Sequence, residues 1–372
     1  MRLHIFLILL FALFIFSCGQ DPIFYNISLD EKPKDPRIAG NPTNMVIVGE
    51  RMYVGTRHGR RIHYFSKTGW HTISNPGGSL GDLATDGTDL YALVFPKGEP
   101  TTSSAIKKYD VSAEKWDAGY ISVDPSASGY KIQNIFGAGG KIFAGAMKES
   151  TYAVLCYEPG DSLTVIKDDK DTKILSGAAE SGGDIYLAVS GSGVYKFPDM
   201  DTKIPDVSGN IVGIITTGAI VTAVSKDGNI YTIAAGGTTV NLIKPKVRAL
   251  SGALCVWYEQ PDSSNTDPSS WTPSLLLLGI NGAHGYLELE LVGGIPTLDS
   301  TIKSPGNEKL PTSAENKRAK YEASIGKKPV EGLIHPVELF TSAVSQKDIP
   351  VFAATHQDGI WSCWAGTWNA ED

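Results

Sequence analysis

Seven stretches of this chain share one pattern, and that repetition limits the possible folds more than any other feature. In each, an apolar run ends in a turn. A run of aliphatic, aromatic and small residues follows, then a polar loop, then a further run carrying an aromatic residue. The second runs read MYVGT from 52, LYALV from 90, IFAGA from 142, IYLAV from 185, IVTAV from 220, LLLLG from 275 and VFAAT from 351. The aromatic residues of the third runs are Tyr64, Tyr109, Tyr157, Tyr195, Tyr231, Tyr286 and Trp361. Apolar and polar residues alternate within the runs and Gly-rich turns separate them, which is the signature of short antiparallel strands.

With insertions at 259–273 and 304–334 set aside, the units recur every 35 to 52 residues. Four strands of about five residues, with their turns, need about 40 to 50 residues, the size of one propeller blade. A lone blade cannot bury both of its faces, so such units must stack around a ring. A parallel α/β fold would need helices between strands, and a β-sandwich would need no period. The expectation is an all-β chain folded over 41–372 as a seven-bladed β-propeller of four-stranded antiparallel blades, with one short helical insertion. The phrases YDVSAEKW at 109, GGKIFAGA at 139 and GVYKFPD at 193 resemble kelch-type or WD-type repeats. The Gly pair that follows a kelch second strand is missing and no Trp-Asp ending recurs from unit to unit, so the subfamily is not identified. The last unit ends at TWNAED, so its outer strand is very short or comes from FYNISLD at 24–30, which would close the ring by ladder hydrogen bonds.

The N-terminus speaks to the compartment. Met1 and Arg2 precede IFLILLFALFIF at 5–16, which is too short to span a bilayer but fits the apolar region of a secretory signal. Ile15, Phe16, Ser17 and Cys18 resemble a bacterial lipobox, although Phe16 stands where a smaller residue is usual. The resemblance implies cleavage after residue 17 and acylation of Cys18 (palmitate or a similar chain). It also implies a tether over 18–40 that includes the possible ring-closing strand, and an envelope location facing the periplasm or the surface. The other cysteines, Cys156, Cys255 and Cys363, lie in apolar runs with no C-x-x-C pair, and read as small core residues rather than a disulfide framework. With 33 Lys and Arg against 40 Asp and Glu, the net charge of -7 gives a polyanion no long-range attraction, so nucleic acid is not an expected partner.

In a ring whose first strand is innermost, loops between second and third strands share a face with the connections between blades. That face is expected to carry Arg57, His58, Arg60, Arg61, Asp227, His284, His356 and Asp358. The arginines could grip an anionic group by forked hydrogen bonds, or form a charged hairpin tip. His58, His284 and His356 fall in equivalent loops of units that become neighbours on closure. They could converge on a zinc-type ion, or be solvated turn residues, which is the reading preferred here. Neither a metal nor a cofactor is expected. The 304–334 insertion holds a polar helical stretch at 313–323, with Lys317, Arg318 and Tyr321 as candidate partner contacts. Trp271, in the 259–273 insertion, is another candidate anchor.

No G-x-S-x-G elbow, P-loop, EF-hand loop or C-x-x-C-H haem motif occurs. The preferred expectation is a monomeric, lipid-anchored envelope propeller serving as a noncatalytic platform for a protein partner or surface ligand. Two alternatives remain open: a propeller hydrolase or lyase acting on a saccharide or lactone, and a carbohydrate or host-surface binder.

Overall fold

Pairs of glycines set the turns. Gly139–Gly140, Gly182–Gly183 and Gly293–Gly294 all have positive φ, between 57° and 84°, as a two-residue hairpin with two left-handed residues requires. In the computed structural model these hairpins join β-strands that pair antiparallel throughout. The structure describes residues 42–56, 61–66, 69–96, 104–169, 174–234, 236–237, 239–243, 250–259, 272–280, 286–297, 337–342, 351–355, 360–364 and 367–370. All of them belong to one compact unit, Ile38–Glu371.

The first sheet is β1 (Pro42–Val48), β2 (Arg51–Thr56), β3 (Ile62–Ser66) and β4 (Gly69–Ile73). The second is β5 (Gly78–Thr85), β6 (Leu90–Pro96), β7 (Ala105–Asp110) and β8 (Lys115–Trp116). The third is β9 (Lys131–Ala138), β10 (Lys141–Lys148), β11 (Thr151–Tyr157) and β12 (Thr164–Asp169). The fourth has three strands, β13 (Leu175–Ser181), β14 (Asp184–Val189) and β15 (Gly193–Phe197). The fifth is β16 (Ile211–Thr217), β17 (Ile220–Ser225), β18 (Ile230–Ile233) and β19 (Thr239–Ile243). The next is β20 (Leu250–Glu259), β21 (Thr272–Ile280), β22 (Tyr286–Val292) and β23 (Ile295–Thr297). The last is β24 (Val337–Ser342), β25 (Val351–Thr355), β26 (Ile360–Trp364) and β27 (Thr367–Ala370).

The expectation of seven four-stranded blades is therefore overturned: the propeller has six four-stranded blades, and the sheet that begins at Leu175 stops at three strands. The reason lies in the segment after Phe197. Pro198 and Pro205 carry no N–H for a ladder. Between them, the Asp199 carboxylate accepts from the N–H groups of Asp201 and Thr202 and turns the chain. A fourth strand is reduced to one bridge, Tyr195 to Lys203, and the bond from Ile204 N to the Val194 carbonyl. The expected helical insertion, the stretch 313–323, falls on residues outside those described. Among the described residues there is no α-helix, only a single 3-10 turn at Pro125–Ala127 capped by Asp124.

The second strand of each unit is buried on both faces. In β2, β14 and β17 every residue after the first is buried. This follows from radial stacking, because each apolar cluster is drawn from two consecutive sheets. Tyr53 and Ile62 meet Leu83 and Tyr109 between the first and second. Tyr91 and Ile106 meet Ile135 and Leu155 between the second and third. Phe143 and Val154 meet Leu187 and Tyr195 between the third and fourth. Tyr186 and Val194 meet Ile214 and Val221 between the fourth and fifth. Val224 and Ile230 meet Leu276 and Leu289 in the following interface. Met52, Val54 and Phe65 meet Phe352, Ala354 and Ile360 where the last sheet returns to the first. That return is made by packing. β27 occupies the outer edge of the last sheet, the very short strand that the sequence allowed for, while 24–30 lies outside the described residues.

Candidate functional site

The innermost strands β1, β5, β9, β13, β16 and β20 border a cavity of about 280 Å3. Each pairs with a single neighbour in its sheet, so its other edge turns toward the axis. The side chains that reach the cavity are mostly apolar, among them Met45, Val46, Leu83, Phe136, Ile214 and Leu254. Asn44 and Thr85 supply polar groups, and Cys255 a thiol. Among the described residues no carboxylate, imidazole, ammonium or guanidinium group belongs to the lining.

The polar residues of the inner strands hold the walls in place. Asn44, Asp82 and Asn134 occupy the same register position, three or four residues before the ends of β1, β5 and β9. There the ladder is irregular in all three strands. Asn44 Nδ2 donates to the Leu83 carbonyl of the next sheet at 2.9 Å. Asp82 Oδ2 accepts from Ile135 N at 3.1 Å, and its Oδ1 from Leu83 N at 2.9 Å. Asn134 Nδ2 donates to the Leu175 carbonyl at 2.6 Å. The bonds of Asn44, Asp82 Oδ2 and Asn134 each satisfy a backbone group of the next sheet and so tie one sheet to the next.

In the following two sheets the equivalent positions are Gly177 and Gly213. A Cβ on Gly177 would lie 2.7 Å from Ile214 Cγ2, and one on Gly213 would lie 2.8 Å from the Gly252 carbonyl oxygen. Close backbone approach thus replaces the side-chain tie. The signal for these residues was present in TNMVIV, GDLAT and QNIFG, where Asn or Asp stands directly before the apolar stretch.

Of the residues expected at the loop-rich face, two are described. Arg61 is exposed just before β3, and its charge, after burial, helps hold His63 below the usual imidazole range. Asp227 is exposed in the turn between β17 and β18. Both sit at connections of second to third strands, in the first and fifth sheets, and no contact links them. Arg57, His58, Arg60, His284, His356 and Asp358 lie outside the described residues, as do Cys18, Trp271, Lys317, Arg318 and Tyr321. Among the described residues no group of three or more His, Cys, Asp or Glu is placed to hold a metal ion.

The opposite face, where first and second strands are joined, carries the better-ordered electrostatics. Arg51 pairs with Glu114 of the second sheet at 2.8 Å, and its guanidinium lies 4.9 Å from the centre of the Tyr64 ring. His71 stacks on Tyr64 at 4.9 Å. Asp86 accepts from Tyr91 Oη at 2.7 Å, and burial followed by this bond raises the Tyr91 phenol well above its ordinary range. Burial pushes the Cys156 thiol up to about 12, which leaves it protonated and unreactive at neutral pH. Of these contacts Arg51–Glu114 joins two sheets, while Tyr64–His71 and Asp86–Tyr91 lie within one sheet each.

No protein-family model and no curated protein matches this sequence. Solved structures do resemble it. One is a chain of the mitotic checkpoint complex, with 10% identity, a TM-score of 0.52, and coverage of 88% of this chain and 90% of that one. Another is selenomethionine-substituted virginiamycin B lyase from Staphylococcus aureus, with 12% identity, a TM-score of 0.49, and coverage of 87% and 94%. At such identities the likeness concerns fold alone. The radially stacked sheets, with the fold likeness to the checkpoint-complex chain, make this chain a β-propeller.

Proposed function

We propose that the chain is a lipid-anchored envelope protein whose propeller is a noncatalytic platform for protein contacts. The observation that carries this reading is the make-up of the axial cavity. General acid–base chemistry needs a titratable side chain within reach of the reacting atoms, and the described cavity wall offers apolar residues, Asn44, Thr85 and the Cys255 thiol, which is buried and donates to the Val256 carbonyl. The other two polar side chains are also engaged within the protein, Asn44 on Leu83 O and Thr85 as acceptor from Gly87 N. The same lining weighs against a saccharide or lactone enzyme working at the axis. The anchor rests on the apolar run at 5–16 and on Cys18.

The test has two arms. Cells grown with an alkyne-tagged fatty acid should yield labelled protein, and Cys18→Ser should abolish the label and release the chain from the membrane fraction. Chemical crosslinking in cells, followed by purification of the tagged chain, should recover the same partner in independent replicates. Reproducible recovery of none, or turnover of an envelope saccharide by the purified chain, would refute the platform.

A further inference from the structure

The axial cavity continues into a second of about 270 Å3, which shares Ala178, Ile214 and Ile215 and extends to Thr216, Val256 and Tyr258. Together they form one slot. Along β20 it runs from Leu254 to Tyr258, four steps of about 3.3 Å, or roughly 13 Å of extended chain. Three polar side chains on its walls are engaged within the protein: Thr216 Oγ1 donates to the Glu180 carbonyl, Asn44 Nδ2 donates to the Leu83 carbonyl, and Thr85 Oγ1 accepts from Gly87 N.

The backbone supplies what the side chains do not. The β16–β17 hairpin closes on Thr217 and Ile220, and the β13–β14 hairpin on Ser181 and Asp184. In a two-residue hairpin the closing pair exchanges both hydrogen bonds, and bonded and non-bonded pairs then alternate. Ile215 opposite Thr222 and Ala179 opposite Tyr186 are therefore bonded pairs, while Ile214 opposite Ala223 and Ala178 opposite Leu187 are not. The N–H and C=O groups of Ala178 and Ile214 consequently point away from their sheets, toward the slot that both residues border.

We propose that this slot binds a short, extended, uncharged apolar segment of a partner polypeptide, about four residues long, whose amides pair with Ala178 and Ile214. The inference rests on the platform reading and names the chemistry of its partner. An extended peptide supplies donors and acceptors at the strand repeat and apolar side chains between them, as in strand addition to a sheet edge. A hydrocarbon chain would cover the same backbone groups without satisfying them. A charged segment would meet no opposite charge among the described residues of the slot.

Random heptapeptides displayed on phage, selected on the purified full chain and then measured individually by fluorescence polarisation, test this. Winning peptides should be uncharged and apolar. Ala178→Leu and Ile214→Trp should each weaken them at least tenfold. N-methylation of the central peptide amides should do the same, a readout that needs no altered protein if a variant fails to fold. Charged winners, winners indifferent to these changes, or no winners would overturn the proposal. Displacement of winners by 1-decanol, with N-methylation without effect, would overturn it in favour of a hydrocarbon ligand. A crosslinked partner retained by Ala178→Leu would refute the slot and leave the platform standing. Peptide binding in the slot without any cellular partner would have the opposite meaning.

Discussion

Closure of the ring can be tested at Phe352. β24 pairs with β25 and β1 with β2, and among the described residues no ladder hydrogen bond crosses between the last sheet and the first. The seam depends on side chains. Phe352 is fully buried and meets Phe65 edge-on at 5.5 Å, within a cluster that includes Met45, Met52, Val54, Ala354 and Ile360. Truncation to Ala removes its transfer free energy and leaves a cavity, which together cost about 3 to 5 kcal/mol for a buried Phe, including about 0.5 to 1.5 kcal/mol from the ring pair. With a urea m-value of about 3 kcal/mol/M, the midpoint should fall by about 1 to 1.7 M. Phe143→Ala is the matched control. That ring is also fully buried and edge-on to Phe197 at 5.3 Å, but it lies between the third and fourth sheets, which the chain joins directly. Urea unfolding followed by circular dichroism should give similar shifts for both variants. A shift below about 0.3 M for Phe352→Ala, with a full shift for Phe143→Ala, would mean that the seam is not packed as described.

Three further outcomes follow from the same structure. Asp82→Ala leaves the N–H groups of Leu83 and Ile135 without their acceptor and should destabilise by about 2 to 4 kcal/mol, whereas Asp82→Asn, which keeps one oxygen, should lose about half of that in the same urea titration. At Gly137 an added Cβ would sit 1.6 Å from the Thr85 carbonyl oxygen, so Gly137→Ala should cost about 3 kcal/mol or more despite its higher strand propensity; a near-neutral melting temperature would refute that close approach. The carboxylates of Asp110 and Asp124 are held below their usual range by hydrogen bonds from Ser112 and Ser126 respectively. A depressed folded value means stability that is present above the unfolded value of 3.8 and lost as pH falls through the folded one. Thermal melts below pH 4 should therefore fall less steeply in Asp110→Asn/Asp124→Asn than in the parent, and equal slopes would contradict the assignment.

Much of the strand order was legible because burial on both faces leaves a mark in composition. All seven predicted second runs, from MYVGT to VFAAT, are strands, and the aromatic residues from Tyr64 to Trp361 all lie in third strands. The fourth strands were not legible. They lie at the rim, where little apolar area is buried and a two-residue pairing such as Lys115–Trp116 suffices. At Pro198 to Pro205 the turn chemistry of Asp199 outweighs the repeat, and the regular count of four strands fails there. Of the residues expected at the loop-rich face only two are described. Attention to charged loops singled out Arg61 and Asp227, both exposed, whereas the described cavity is bordered by residues that resemble ordinary strand interior.

Period, composition and turn residues thus determined by themselves that this chain forms short antiparallel sheets that must stack on one another, because those are local properties of strands with two apolar faces. Only tertiary structure decided which sheets are complete, how the ends meet, and where the slot lies. Those outcomes depend on contacts across sheets: Asn44 on Leu83, Asp82 on Ile135, and Phe65 on Phe352. Each joins residues distant along the chain, and such a contact leaves no pattern in the neighbouring sequence.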